Sequence, residues 1–376
     1  MKRVISFVLC LLMMCTLLVS CGDNEIGSYI ENYPETDNTV KDMTLNMYLI
    51  VGEGTTQNAK ETVQNIVKQY TYSKFKTNLV LHYVSEENYK STVTEAVKGD
   101  DTNGAHIVLI NSFELMKELF DGGYLANLTS YFDTRDYGRL NSEITASLLE
   151  ASKITKKTND SVTKSLYSIP NDHVVGTYEY LVINKAVARD MLHYSNELLA
   201  SFKTDEDIAE LISDIEKLGY DPSEIVYRTS GPYELKQTIE GQGNFCNVTA
   251  YPTVDEYTAF SSAFAIVNRH EDYVERAMEI IYELHNPDDH YLRNLIQYGV
   301  ELTNYTLDES GKVVSFTEGE NVYNMNPLYT GNIFYALYSD KIGWNETVKN
   351  NGKIQNDESV VNLLGKFTES EDTPAQ

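Results

Sequence analysis

The chain has 376 residues, with 56 Asp and Glu against 30 Lys and Arg, for a net charge of −26. A field of that sign repels nucleic acid and anionic lipid head groups, so neither is an expected partner. Of four cysteines, Cys10, Cys15 and Cys21 fall in or just after an N-terminal apolar run, so Cys246 stands alone in the body, which excludes internal disulfides, cysteine-based zinc sites and CxxC redox chemistry there.

Lys2 and Arg3 precede an almost continuous apolar run from Val4 to Val19, closed by Leu18-Val19-Ser20-Cys21. The run is short for a bilayer span, and its order of charge, apolar core and small residues is that of a signal peptide. Leu-Val-Ser-Cys resembles the bacterial lipobox, which implies cleavage before Cys21 and lipidation of that cysteine. The expected layout is a signal peptide over 1–20 and a flexible, acidic tether over 21–42. The body would then sit at the extracellular face of the cytoplasmic membrane, held by its lipid anchor. At this length two domains or lobes are expected.

The body opens with a strand over 44–51 and a tight turn, Gly52-Glu53-Gly54-Thr55-Thr56. Ala59, Val63, Ile66, Val67 and Tyr70 then fall on one helical face. A strand over 78–84 follows, then a helix capped by Ser85 with Glu86 and Glu87 in its first turn. A third strand, 106–110, ends at Asn111-Ser112, and Ser112 caps a helix stopped by Gly122-Gly123. This alternation predicts an α/β lobe with a largely parallel sheet. Ligands of such sheets bind at the carboxyl ends of strands, which points to residues 52–56 and to Asn111 and Ser112.

Two β-rich runs, 166–169 and 178–183, flank Pro170, Asn171, Asp172 and His173. Proline cannot donate within a central strand, so Pro170 marks a strand end or edge. The stretch reads as a crossing between lobes; a hairpin with a long loop is the alternative. Beyond it, Ile208, Leu211, Ile212 and Ile215 mark a helix over 206–218 ended by Gly219, and 225–228 and 247–250 read as short strands.

The run Phe113 to Thr129, then Leu166-Tyr-Ser-Ile-Pro170, Leu181-Val-Ile-Asn-Lys185 and Ala263-Phe-Ala-Ile-Val-Asn268 stand in an order similar to the extracellular solute-binding proteins of ABC importers, in the cluster of maltose-binding protein. The resemblance implies an α/β, two-lobed, periplasmic-binding-protein-like fold of type II. Each lobe would be a mixed sheet flanked by helices, with hinge strands between. Lobe one would comprise 43–170 and 266–310, lobe two 171–265 and 311–367, with a frayed acidic tail over 368–376.

Candidate ligand contacts are Glu53, Asn111, Ser112, Asn171, His173, Arg228, Tyr251 and Trp344. Asn171 offers donors and an acceptor for sugar hydroxyls. Tyrosine and tryptophan faces suit the apolar side of a pyranose, although Trp344 fits a buried core position as well. Gly52-x-Gly54 lacks the Lys-Ser/Thr of a phosphate cradle. His285 and His290 are five apart, and Asn286 and Pro287 between them read as a helix start, so no metal is expected. No nucleophile elbow or His-Glu-x-x-His motif is present, and no cofactor is expected. The resemblance implies a monomeric binding protein that captures a small solute, a carbohydrate foremost, and delivers it to an ABC permease. A secreted glycan-acting hydrolase and a lipoprotein receptor or adhesin without a transporter stand as alternatives.

Overall fold

The computed structural model describes residues 41–134, 137–157, 161–339, 343, 345–365 and 368–370. The expected signal peptide, Cys21 and Trp344 lie outside the described residues. Strand β1 (Met43–Ile50) is buried at every position but Thr44, as a strand covered on both faces must be. Thr56 accepts from the Ala59 N–H to cap α1 (Gln57–Phe75), and Ala59, Val63, Val67 and Tyr70 face the core. Lys76, at φ 52°, ends that helix and leads straight into β2 (Thr77–Val84). Helix α2 (Glu86–Ala96) then carries the chain across β1 to β3 (Ile107–Ile110). Ser112 accepts from Leu115 N to start α3 (Phe113–Asp121), as its sequence predicts. A short α4 (Ala146–Ala151) follows, then the hairpin of β4 (Lys153–Lys157) and β5 (Val162–Leu166), and then β6 (Ile169–Pro170).

Strand β7 (Tyr178–Asn184) opens a second sheet, so the hairpin alternative for residues 166–183 does not hold. Helix α5 (Ala209–Lys217) packs beneath β8 (Val226–Gly231). Helix α6 (Tyr233–Gly241) crosses β7 to reach β9 (Asn244–Ala250). The order β8-β7-β9 is antiparallel at both pairings, so this sheet is not mixed as expected. The crossover over the central strand makes the outer two parallel to each other and opposed to β7. Alternation along β7 sends Leu181 and Ile183 to one core and Tyr178, Tyr180 and Val182 to another.

After β10 (Thr253–Val254), β11 (Ala263–Ile266) rejoins the first sheet, whose order is β2-β1-β3-β11-β6. Pro170 lies on the last strand, where its missing N–H costs nothing. Helices α7 (Glu271–Leu284) and α8 (Tyr291–Tyr298) pack on the same core. Strands β12 (Tyr305–Leu307) and β13 (Val313–Ser315) pair, and Tyr323 and Met325 are buried in the first core. The chain from Val313 to Met325 therefore belongs to lobe one, not lobe two as expected from residue 311. Helix α9 (Glu346–Asp357) packs on α6 of lobe two, and β14 (Val360–Val361) pairs with β10. Strand β15 (Thr368–Ser370) pairs with β4, where fraying was expected. Among the described residues, the lobes are joined by 171–177, by 251–262 and by the chain between Met325 and Asn345. Gly331 in the last of these has φ +110°, and a Cβ there would meet Leu284 O at 2.4 Å, so the turn requires glycine.

Candidate functional site

Register places the expected strand ends at one edge. Ala263 pairs with Ile110 on one side and Pro170 on the other, so Asn111, Ser262 and Asn171 are level. Two strand spacings separate Asn111 from Asn171, about 10 Å. Tyr48 pairs with Val108, which brings the turn after β1 to the same edge. There the Tyr89 hydroxyl donates to Tyr48 O (2.9 Å) and accepts from Leu109 N (2.8 Å), wedging β1 from β3.

Lobe two presents the matching edge. Tyr178 opens β7 opposite Gly231, and β9 closes at Ala250, so Tyr178, Gly231 and Tyr251 lie at the hinge end of their sheet. Tyrosines gather there. The ring of Tyr178 lies 6.0 Å from Tyr233 and 6.3 Å from Tyr251, and its hydroxyl donates to Glu358 at 2.6 Å. Phe113 of lobe one packs against Tyr257 of the second crossing, with ring centroids 4.7 Å apart. Tyr251 is 47% exposed and Tyr257 42%, which leaves two large aromatic faces open to solvent at the cleft.

The individual candidates fare differently. Glu53 is exposed at the tip of its turn. That turn is held against residues 320–324: Gly52 N donates to Asn324 O (2.8 Å) and Asn324 Nδ2 to Glu53 O (3.0 Å). Asn111 and Ser112 are half-buried at the edge of lobe one, with the Ser112 hydroxyl engaged as the helix cap. Tyr251 lies at the edge of lobe two.

Three candidates are corrected. Asn171 is fully buried, donating to Ser262 Oγ (3.0 Å), while its N–H donates to Ser262 O (3.0 Å). It ties the first crossing to the second. His173 is buried, with Nδ1 2.8 Å from Asn171 O, and burial lowers its pKa, keeping it neutral. Crossing strands leave one sheet before joining the next, so their backbone groups take side-chain partners instead of ladder partners. Arg228 lies three residues from the end of β8 and pairs with Asp205 at 2.8 Å on the face toward α5. Trp344 is outside the described residues.

Residues missed by sequence reading are Tyr178, Tyr233, Tyr257, Phe113 and Glu358. The one local signal was Pro232 before Tyr233, which marks a helix start directly after a strand. With 28 tyrosines in the chain, residue type alone could not single these out.

His285 is buried, its ring nitrogens 2.9 Å from Ile281 O and 3.2 Å from Pro170 O, and burial lowers its pKa to about 4. Asn286 accepts from Asp288 N in a local turn, and the helix starts later, at Tyr291, rather than at Pro287. Among the described residues no group of three or more His, Cys, Asp or Glu is arranged to hold a metal. Burial raises the Cys246 thiol to about 11, so it carries no thiolate at neutral pH.

Two α/β lobes joined by repeated crossings, with strand ends facing one cleft, define the type II fold of the solute-binding proteins. The chain is similar to the N-glycan transport solute-binding protein of Streptococcus pneumoniae, at 14% identity over 85% of this chain and 84% of that chain, with a TM-score of 0.52. The structure of that protein in complex with Man1GlcNAc matches at 13% identity over the same shares, with a TM-score of 0.50. At these identities the likeness establishes the fold. No protein-family model and no curated protein matches the sequence.

Proposed function

We propose that this protein is a lipid-anchored extracellular solute-binding protein that captures a carbohydrate between its lobes. It would act as a monomer, held through Cys21, and deliver its ligand to an ABC transporter permease. The observation that carries the carbohydrate reading is the pair of exposed rings at the lobe junction, Tyr257 on Phe113 and Tyr251 beside Tyr178, whose hydroxyl donates to Glu358. Such rings stack on the apolar face of a sugar while carboxylate, amide and hydroxyl groups take its hydroxyls. Glu53, Asn111 and Ser112 supply polar groups from lobe one, and Trp344 is a further candidate platform. The Streptococcus pneumoniae relative, an N-glycan transport protein, supports the same class.

Closure about the crossings would bring both edges onto one ligand, with no bond made or broken. The ligand can favour the closed form only by what it gains from the second lobe. Calorimetric titration with mono- and oligosaccharides, including mannose–N-acetylglucosamine disaccharides, tests this, alongside peptides and amino acids. Saturable sugar binding without product release is the expected result. Absence of sugar binding refutes the ligand class, and hydrolysis of any sugar identifies a glycan-acting enzyme instead. Loss of sugar uptake when this protein is deleted separates a transporter component from an adhesin.

A further inference from the structure

Behind the hinge lies a second cavity, of about 300 Å³. Helix α4 packs on β6, the last strand of the first sheet, whereas β1 and β3 lie on the other side of β11. The cavity is lined by the residues leading into α4, on the β6 side of the first sheet. Glu143 and Thr145 line it from lobe one, Tyr335 from the third crossing, and Lys353 and Asp357 from α9.

Asp172 forms the floor. It is 5% exposed, and its Oδ1 has no hydrogen-bond partner. Thr145 and the His173 backbone favour its charged form, and the other polar groups around it are engaged elsewhere. Asn332 donates to Glu143 O (2.8 Å) and accepts from Phe334 N (2.9 Å). The Glu143 carboxylate accepts from Arg139 Nε (3.1 Å) and from the Tyr335 hydroxyl. At the mouth Lys353 is exposed and makes no ion pair with a described residue. One cavity thus holds a buried acid with one unpartnered oxygen at its floor and, at its mouth, an ammonium 5.8 Å from the Phe334 ring centroid and without a carboxylate partner among the described residues.

We propose that this cavity is a second ligand site, for a small aminocarboxylate zwitterion whose ammonium group meets Asp172 and whose carboxylate meets Lys353. An amine alone would leave Lys353 unpaired, and a carboxylate alone would face Asp172, Glu143 and Asp357. The volume equals about ten waters' share of the liquid, room for an amino acid of a few carbons. Burial raises the Asp172 pKa to about 7 against the opposing pull of Thr145 and Lys353. A cationic partner requires the carboxylate, so affinity falls as pH drops below 7, with Glu143, Asp357 and Tyr335 the other titratable groups facing the site. Both lobes line the cavity, so occupancy biases their angle, and any effect on cleft affinity is returned equally.

The test needs no sugar. Glycine, β-alanine and γ-aminobutyrate, with ethylamine and propionate as single-charge controls, are titrated into the full chain by ligand-observed NMR at pH 6 and pH 8. The expected result is saturable binding of one zwitterion at pH 8, weaker at pH 6, and reduced at least about tenfold by Asp172→Asn and by Lys353→Met. A thermal unfolding midpoint no lower than that of the wild type in both variants excludes misfolding as the cause. Failure of all three zwitterions to bind, equal binding of ethylamine, or binding indifferent to both substitutions overturns the proposal. The sugar reading of the cleft is untouched by any of these outcomes.

Discussion

Asn356 clamps the hinge, and its truncation should be costly. Its side chain donates to His173 O (2.7 Å) and to Thr145 Oγ1 (2.8 Å), and accepts from Val175 N (3.0 Å), at 4% exposure. The three bonds tie α9 to the first crossing and to the start of α4. Asn356→Ala leaves the Val175 N–H and the His173 carbonyl buried without partners. Each orphaned group costs about 1–3 kcal/mol, so a loss of about 2–6 kcal/mol is expected. Asn356→Asp keeps an acceptor for Val175 N but sets a buried carboxylate against the His173 carbonyl, so it should be at least as costly as Ala. Urea unfolding followed by circular dichroism measures both, with the midpoint falling at constant slope. A loss below about 0.5 kcal/mol for Ala would show that the clamp is not what holds the crossing.

Tyr251→Ala should weaken binding of the cognate carbohydrate about tenfold by calorimetry while leaving the unfolding midpoint unchanged, because the ring is 47% exposed. Acid titration of stability should reveal two opposed buried groups. His285, lowered to about 4, binds fewer protons folded than unfolded between pH 4 and 6.5, so its contribution is lost as pH falls through that window. Asp172, raised to about 7, binds more protons folded than unfolded between its usual value and 7, so it favours folding as pH falls. Asp172→Asn removes the second effect, so the variant should gain stability above pH 7 and lose it more steeply on acidification, by about 1.4 kcal/mol per pH unit, in urea melts from pH 4.5 to 7.5. An unchanged pH slope would count against the burial of Asp172. Cys21→Ser should release the protein into the medium or leave the precursor uncleaved, read by fractionation and mass spectrometry; normal processing with full membrane retention would refute lipidation at Cys21.

Local elements of lobe one were legible because periodicity and caps are properties of neighbouring residues. Ser112 starts its helix as read, and β1 and β3 lie where their apolar runs lie. Pro170 announced the end of a sheet because a residue without an N–H has few places to stand. The polar residues after it suggested a ligand, yet Asn171 and His173 turn inward, because the bare backbone of a crossing needs partners that no local pattern reveals. Arg228 was plausible as a charged residue on a strand, and only the loop carrying Asp205 decides that it points away from the cleft. Residues 313–325 carried no mark of the lobe they join, and their placement follows from Tyr323 and Met325 entering a core assembled from distant strands. Alternation, capping and strand-breaking residues act over a few positions, so the order of strands, helices and crossings could be read along the chain. The meeting of Phe113 with Tyr257, and of Tyr178 with Tyr251 and Tyr233, joins segments separated by up to about 140 positions. Which aromatic faces line the cleft is therefore decided by the path of the folded chain, where burial and register select a few tyrosines from many.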